Sequence, residues 1–300
     1  MVFKPEQPNT PLFWTERYST LHGNRHRILD LEVSPASSVS FTYSHIEQLR
    51  SPGRATFGGL WPNGIFNTFD SDFLFLLYKR LFSKFESLNK VTIVFPPRIF
   101  LQNIFEPQIE ALKKIAQYQI VSDTNYHVEV ENWTIKNLSK GNRKKIRRFN
   151  EMGGVVSFSN LSNIKQCYDV LVENRRHRGV ILTMEFEDFK KSLILCEKDF
   201  KLIQANLGGN VIATCLLVKI TSDYWYVLYW GESIEFRNLS PVASIFYFLI
   251  EEAKSNKVIF LDLGISSVNG TLDEGLARFK SNLGAVTSEK LTLELDLHTG

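Results

Sequence analysis

The chain has 300 residues, 44% of them apolar and 22% charged, and 35 basic against 32 acidic side chains leave a formal net charge of +3. That length suits one large or two medium domains, and the composition is that of an ordinary globular protein rather than a disordered chain. The net charge is too small for the whole surface to bind nucleic acid, so any anion site has to come from local clustering.

The first 30 residues are rich in Pro, polar and basic groups and read as a surface-wrapping segment; the opening "MVFKPEQPNTPLFW" has no apolar core of a signal peptide. In "HGNRH", His22 and His26 read as loop residues, because Gly23 and Asn24 argue against a helix between them. "SSVSFTYSH" (37–45) alternates as a strand, and "SPGRATFGGLWPNG" (51–64) reads as a loop. A helix is predicted over 70–89, opened by an Asp/Ser cap. Its run "FLFLLYKRLF" is broken by Lys79 and Arg80, far short of the roughly 20 apolar residues of a membrane span. A strand ended by Pro-Pro (90–97), a helix with Pro near its first turn (106–119) and a strand pair or bent strand (119–131) follow. This β-α-β-α-β order points to α/β layers.

The second half opens on "NLSKGNRKKIRRFNEMGG" (137–154), a predicted helix with Ser139 as N-cap and Gly153 as its stop. Seven Lys/Arg lie between Lys136 and Arg148 with no acid among them. Then come a strand (154–160), helices over 163–179 and 186–198, and two β-rich runs around Gly208-Gly209-Asn210, a hairpin signal. The aromatic strand 223–233 leads to a helix with Ser240 at N-cap and Pro241 at N1 (240–256). A buried strand (257–264), a helix stopped by Gly284 (272–284) and an alternating strand (288–295) complete the chain. No short-period repeat is visible, but the halves read as two similar units, 1–131 and 132–300. The three cysteines, Cys167, Cys196 and Cys215, form no CxxC pair and sit among apolar neighbours, which reads as buried reduced thiols of a cytoplasmic protein. The six histidines make no metal pattern, so no metal is expected, and no Walker loop or Gly-x-Ser-x-Gly elbow is present.

Three words in the second half, "LSKGNRKKIRRFNEMGGV", "YWGESIEFRNLSPVASIFYFLIEEA" and "FLDLGISSVNGTLDEGLARFKSNLGA", resemble the FemAB-like transferases, whose fold is of GNAT type. "ATFGGLW" and "TIVFPPRIF" resemble the family more weakly. The resemblance implies an α+β fold of two tandem GNAT-like units, with mixed, mostly antiparallel sheets flanked by helices. It implies transfer of an acyl or aminoacyl group onto a small-molecule or peptide amine. The donor would be aminoacyl-tRNA, as in members that build cell-wall cross-bridges, or an acyl-CoA, as in GNAT relatives. Both donors carry phosphates. The chain lacks the coiled-coil arm of some cell-wall members, which points away from that role. A non-catalytic module that binds nucleic acid or another anionic ligand through 136–148, or a pseudoenzyme keeping only the fold, stands as the alternative.

The candidate residues divide by chemistry. Arg143, Lys144 and Arg147 on the basic helix are candidates for donor phosphates, against a reading as a solvated face; like charges at i,i+4 repel slightly, and a merely solvated helix would interleave acids. Arg237, Asn238 and Ser240 precede a helix whose free N–H groups suit an anion, against ordinary capping. GNAT proteins hold the coenzyme pyrophosphate there with a Gln/Arg-x-x-Gly-x-Gly/Ala turn, which this chain lacks. Lys280 matches the family's Phe-Lys position, where the lysine is implied to stabilise charge on the acyl carbonyl; an exposed helix lysine is the other reading, and Phe279 reads as core. Asp262, in an apolar strand, needs a partner: the attacking amine, Arg278 or the following loop. Tyr229 as acid and Glu232 as base flank the end of the aromatic strand.

Overall fold

The computed structural model describes residues 10–45, 48–66 and 69–297. The chain packs as two compact units. One holds the N-terminal part to Asn125 with Ser267–Leu272 and the residues from Ser288 on, and the other holds Tyr126–Ser266 with Asp273–Thr287. The division thus differs from a cut at 131/132: the last strand and the short hairpin before it pack with the first unit.

In the first unit, helix α1 (Glu16–His22) precedes strands β1 (Arg27–Ser34), β2 (Ser37–His45), β3 (Leu49–Ser51) and β4 (Gly59–Gly64). Helix α2 (Ser71–Phe82), strand β5 (Lys90–Pro97), helix α3 (Gln102–Lys113) and the N-terminal part of strand β6 (Gln117–Glu129) follow. The sheet order is β1-β2-β3-β5, continued by the C-terminal strand, with β4 on β2. β3 and β5 are parallel and the other registered pairs antiparallel. The Asp70 carboxylate caps α2 by accepting from the N–H groups of Asp72 and Phe73.

Three expectations for this unit are corrected. The segment after residue 9 is not a surface wrap, because Leu12, Phe13 and Trp14 are buried and Phe13 packs on Phe57 and Tyr18. His22 is not a loop residue, whereas His26 does lie in a bend, before β1. His22 ends α1 and both rings are buried, His26 with Nε2 at 2.8 Å from the Phe13 carbonyl. Burial pushes the His26 imidazole down to about 4. The stretch 51–64 contains strand β4, because Leu60 and Trp61 have apolar surface to bury and β4 pairs β2 alone, which leaves Pro62 harmless.

The second unit runs from the C-terminal part of β6 through helix α4 (Lys140–Glu151), strand β7 (Val155–Phe158) and helices α5 (Ile164–His177) and α6 (Phe186–Leu195). Strands β8 (Phe200–Leu207), β9 (Asn210–Lys219) and β10 (Tyr224–Glu232), helix α7 (Pro241–Ser255) and strand β11 (Phe260–Ile265) follow. Beyond a two-residue hairpin, β12 (Ser267–Val268) and β13 (Thr271–Leu272), come helix α8 (Glu274–Ser281) and strand β14 (Val286–Asp296). The sheet order within the unit is β6-β11-β10-β9-β8-β7. The β8–β9 turn is Gly208-Gly209, both at positive φ (58° and 82°), the backbone a two-residue hairpin of primed type demands.

The two faces of this sheet are read from alternation. Ile203, Ala205, Ala213, Cys215, Leu217, Trp225 and Val227 join Phe149 of α4 and Phe246 and Leu249 of α7 in one core. On the other face Gln204 meets Asn163 and Cys167, at the start of α5. The three cysteines are buried and form no disulfide, and burial raises the Cys215 and Cys167 thiols. Among the described residues no helix is long and apolar enough to cross a membrane, and no His/Cys/Asp/Glu group could hold a metal ion.

Candidate active site

β10 and β11 are parallel neighbours over three positions only, Tyr224–Tyr226 against Phe260–Asp262. Both strands run on, to Glu232 and Ile265. β10 also bulges between Val227 and Tyr229, which face Leu217 and Leu216 of β9. One extra residue inverts the alternation of side chains. Trp230 and Glu232 therefore continue the face of Val227, and Tyr229 continues that of Tyr226.

At this end of the strand lies a cavity of about 560 Å³ within the second unit. Its walls are Trp230, Gly231 and Glu232 of β10, Lys145 of α4, Asn174, His177 and Arg178 at the end of α5, Arg237, Ser240 and Val242 at the start of α7, and Leu276 and Phe279 of α8. Trp230 and Phe279 meet edge to face at 5.5 Å. Asn174 is pressed on the strand: its Nδ2 donates to the Glu232 carbonyl (3.0 Å), and a Cβ on Gly231 would come within 2.8 Å of the Asn174 Cβ.

Glu232 is the carboxylate of this cavity with the most perturbed titration. Burial pushes it up to about 7, against the pull of the Val242 N–H, which donates to Oε2 at 3.3 Å, and of the Lys145 and Arg237 charges. Asp273, also in the wall, is committed elsewhere: it caps α8 by accepting from Leu276 N–H and pairs with Arg178 at 2.9 Å, and the cap holds it below its ordinary value.

Lys280 is buried, 2% exposed, and is not the surface lysine of an amphipathic helix. Its ammonium donates to the carbonyls of Gly264 (2.8 Å) and Ile265 (2.7 Å) and lies 5.7 Å from the Tyr126 ring centre. Burial lowers it to about 7, with Asp262 pulling upward and Arg178 and Arg175 downward. Lys280 is not among the cavity walls, whereas its neighbour Phe279, expected as core, is. Asp262 is fully buried and caps the turn that follows it: Oδ1 accepts from Gly264 N–H (2.8 Å) and Oδ2 from the Tyr224 hydroxyl (2.5 Å). Arg278 is exposed. Tyr229 faces away from Glu232; its hydroxyl bonds Thr183 Oγ1 at 2.9 Å and its ring lies 5.8 Å from the Arg175 guanidinium.

The basic helix contributes a residue the sequence did not single out. Arg143 turns back on its own chain, donating to the Leu138 (2.7 Å) and Lys136 (3.1 Å) carbonyls. Lys144 and Arg147 are exposed and are not cavity walls; Lys145 is. Its position was recoverable: Lys145 lies three residues after buried Asn142 and four before buried Phe149, on the flank of the buried stripe. Ser240, Arg237 and Asn238 divide similarly. Ser240 and Arg237 line the cavity, while Asn238 is exposed outside it. Ser240 occupies the N-cap position in the left-handed region (φ 48°) and makes no side-chain cap bond.

No protein-family model matches the chain, and no curated protein does. Solved structures do. FemX superposes with a TM-score of 0.69 at 14% identity, over 96% of this chain and 93% of that one. L-PGS from Bacillus licheniformis gives 0.59 at 13% identity, over 99% and 95%. The C-terminal domain of a putative lysylphosphatidylglycerol synthetase from Agrobacterium fabrum gives 0.58 at 10%, over 90% and 84%. The mixed, mostly antiparallel sheets flanked by helices, matched to FemX along nearly the whole of both chains, are the FemAB-like fold of two tandem GNAT-like units.

Proposed function

We propose that the protein is an N-acyltransferase of the FemAB/GNAT type, which moves an acyl or aminoacyl group from a phosphate-bearing donor to an amine. The observation that carries the reading is the cavity beside the end of β10, where a carboxyl pushed up to about 7 stands among Lys145, Arg178 and Arg237. A group titrating near neutrality is suited to take the proton of an attacking amine. The cations suit the donor's phosphate, and Trp230 and Phe279 give an apolar wall for the acyl group. The amine nitrogen attacks the ester or thioester carbonyl, its proton passes to Glu232, and the tetrahedral intermediate collapses by breaking the bond to the donor's oxygen or sulfur, which takes that proton from Glu232 as it leaves. No covalent enzyme intermediate is needed, because positioning and charge stabilisation suffice.

Lys280 lies behind the cavity wall and in this reading is a positioning residue: by holding the Gly264 and Ile265 carbonyls it fixes α8, whose Phe279 lines the cavity. Asp262 and Tyr229 are positioning residues: the first shapes the turn that Lys280 holds, the second anchors Thr183 and Arg175. The fold shared with FemX, with L-PGS and with a protein named as a putative lysylphosphatidylglycerol synthetase supports acyl or aminoacyl transfer as the class of reaction. The test is incubation with labelled aminoacyl-tRNA and with labelled acetyl-coenzyme A, each with a mixture of amines and short peptides, read by mass spectrometry. Label appearing on an amine, and lost in Glu232→Gln, is the expected result. No transfer from either donor, with the protein folded, overturns the reading.

A further inference from the structure

The N-terminal end of α7 opens on the cavity. Such an end is ordinarily a place for an anion, because its first N–H groups have no partner inside the helix. Here each of the first three positions is accounted for. Pro241 has no N–H. The Val242 N–H donates to Glu232 Oε2 at 3.3 Å, and the Ala243 N–H to the Ser240 carbonyl at 2.9 Å.

We propose that Glu232 is a specificity-determining residue: its carboxylate fills the helix end that a diphosphate would take, so the cavity excludes donors of the coenzyme A type and takes one whose anionic group is a single phosphate ester held by Lys145 and Arg237. The proposal rests on the transfer reading and narrows its donor. A diphosphate at this helix end would bring two further negative charges against Glu232 in a partly dry cavity, where like charges repel far more than in water. It would also find a single N–H to win, and only by displacing the carboxylate. A smaller anion avoids both costs by binding at the side chains. The other ionisable groups facing the cavity are His177 and Arg178 from the end of α5 and Asp273 at the start of α8, of which Arg178 and Asp273 neutralise each other.

The experiment is calorimetric titration with coenzyme A of the full chain and of Glu232→Gln and Glu232→Ala, all in a His177→Gln background so that the imidazole does not contribute to any difference. At about pH 8 the Glu232 carboxylate is charged, and binding to the parent should be at least about tenfold weaker than to either variant, a difference of about 1.4 kcal/mol. At about pH 6 the gap should close, because the parent carboxyl, raised to about 7, is then largely protonated. Two variants guard against one that fails to fold, and the parent's own gain in affinity from about pH 8 to about pH 6 tests the inference without either. Equal affinity of parent and variants at the higher pH overturns the inference. A protein that transfers acyl groups from acetyl-coenzyme A keeps the transfer reading and loses this one. A protein that transfers from no donor, yet gains coenzyme A affinity when Glu232 is neutralised, keeps the exclusion and loses the transfer reading.

Discussion

The ammonium of Lys280 donates to the carbonyl oxygen of Gly264 across 2.8 Å, and both groups are buried in the second unit. The bond ties α8 to the turn that ends β11, the turn Asp262 caps from the other side. Replacing Lys280 by Met keeps much of the apolar stem but leaves the Gly264 and Ile265 carbonyls without their donor. A charge-assisted bond of this kind contributes about 2 kcal/mol. Lys280→Met should therefore lower the unfolding free energy in urea by about that amount and slow transfer by loosening α8 beside the cavity. A variant of unchanged stability would show that the carbonyls are satisfied without the lysine.

Lys280 also shapes the pH dependence of stability. Its amine is lowered from the ordinary lysine value to about 7, so between about 7 and the ordinary value the unfolded chain holds a proton that the folded chain has released. Stability then rises with pH across that window and is flat below it, where both states are charged. Denaturation from neutral to alkaline pH should show a steeper rise in the parent than in Lys280→Met. Parallel curves would remove this lysine from the balance.

Glu232 acts in the opposite sense. Its folded value is raised to about 7, so between the ordinary glutamate value and about 7 the folded chain holds a proton that the unfolded one has lost. The contribution to stability falls as pH rises through that window. Glu232→Gln should flatten this decline. The transfer rate should rise with pH to a plateau above about 7, where the carboxylate is free to accept a proton. A rate that falls through the same window would assign the proton transfer to another group.

Most of the second unit was legible because its signals are local. Ser139 before α4, the Gly208-Gly209 pair and Pro241 at the start of α7 each act within a few residues, and the structure keeps each element near where they put it. The site was less legible, because it depends on what one extra residue does to a strand. Tyr229 and Glu232 looked like partners by proximity, but three residues along a strand is an odd step, so they point to opposite faces, and the bulge after Val227 decides which of them faces the cavity. Nothing in "VLYWGE" announces that bulge. Lys145 was overlooked for a related reason. Charge alone cannot rank seven neighbouring cations, whereas adjacency to the buried stripe of Asn142, Ile146 and Phe149 does. In the first unit β4 was read as a loop because its glycines and Pro62 outweighed Leu60 and Trp61, whose burial against β2 favours a strand.

The basic helix makes a sharper comparison possible. Arg143 closes the carbonyl end of the turn at 135–138, whereas Lys144 is exposed. Arg143→Gln should cost about 1–2 kcal/mol of stability, the worth of lost bonds to a charged donor. Lys144→Gln should stay within about 0.5 kcal/mol, as surface changes do. Chemical denaturation of the two side by side decides it, and equal effects would mean that the Arg143 bonds add nothing beyond those of a solvated cation.

Lys145 and Arg237 are the cavity cations not engaged with Asp273, so they should carry the affinity for a simple anion. Titration with inorganic phosphate should show several-fold weaker binding in Lys145→Ala and Arg237→Ala, and no change in Lys144→Ala or Arg147→Ala, whose side chains lie outside the cavity. The parent's affinity should also fall with added salt, since partly exposed charges are screened within about 10 Å at 0.1 M ionic strength, and that dependence should be shallower in Lys145→Ala. Loss of binding confined to Lys144→Ala and Arg147→Ala would move the anion site from the cavity to the outer face of α4.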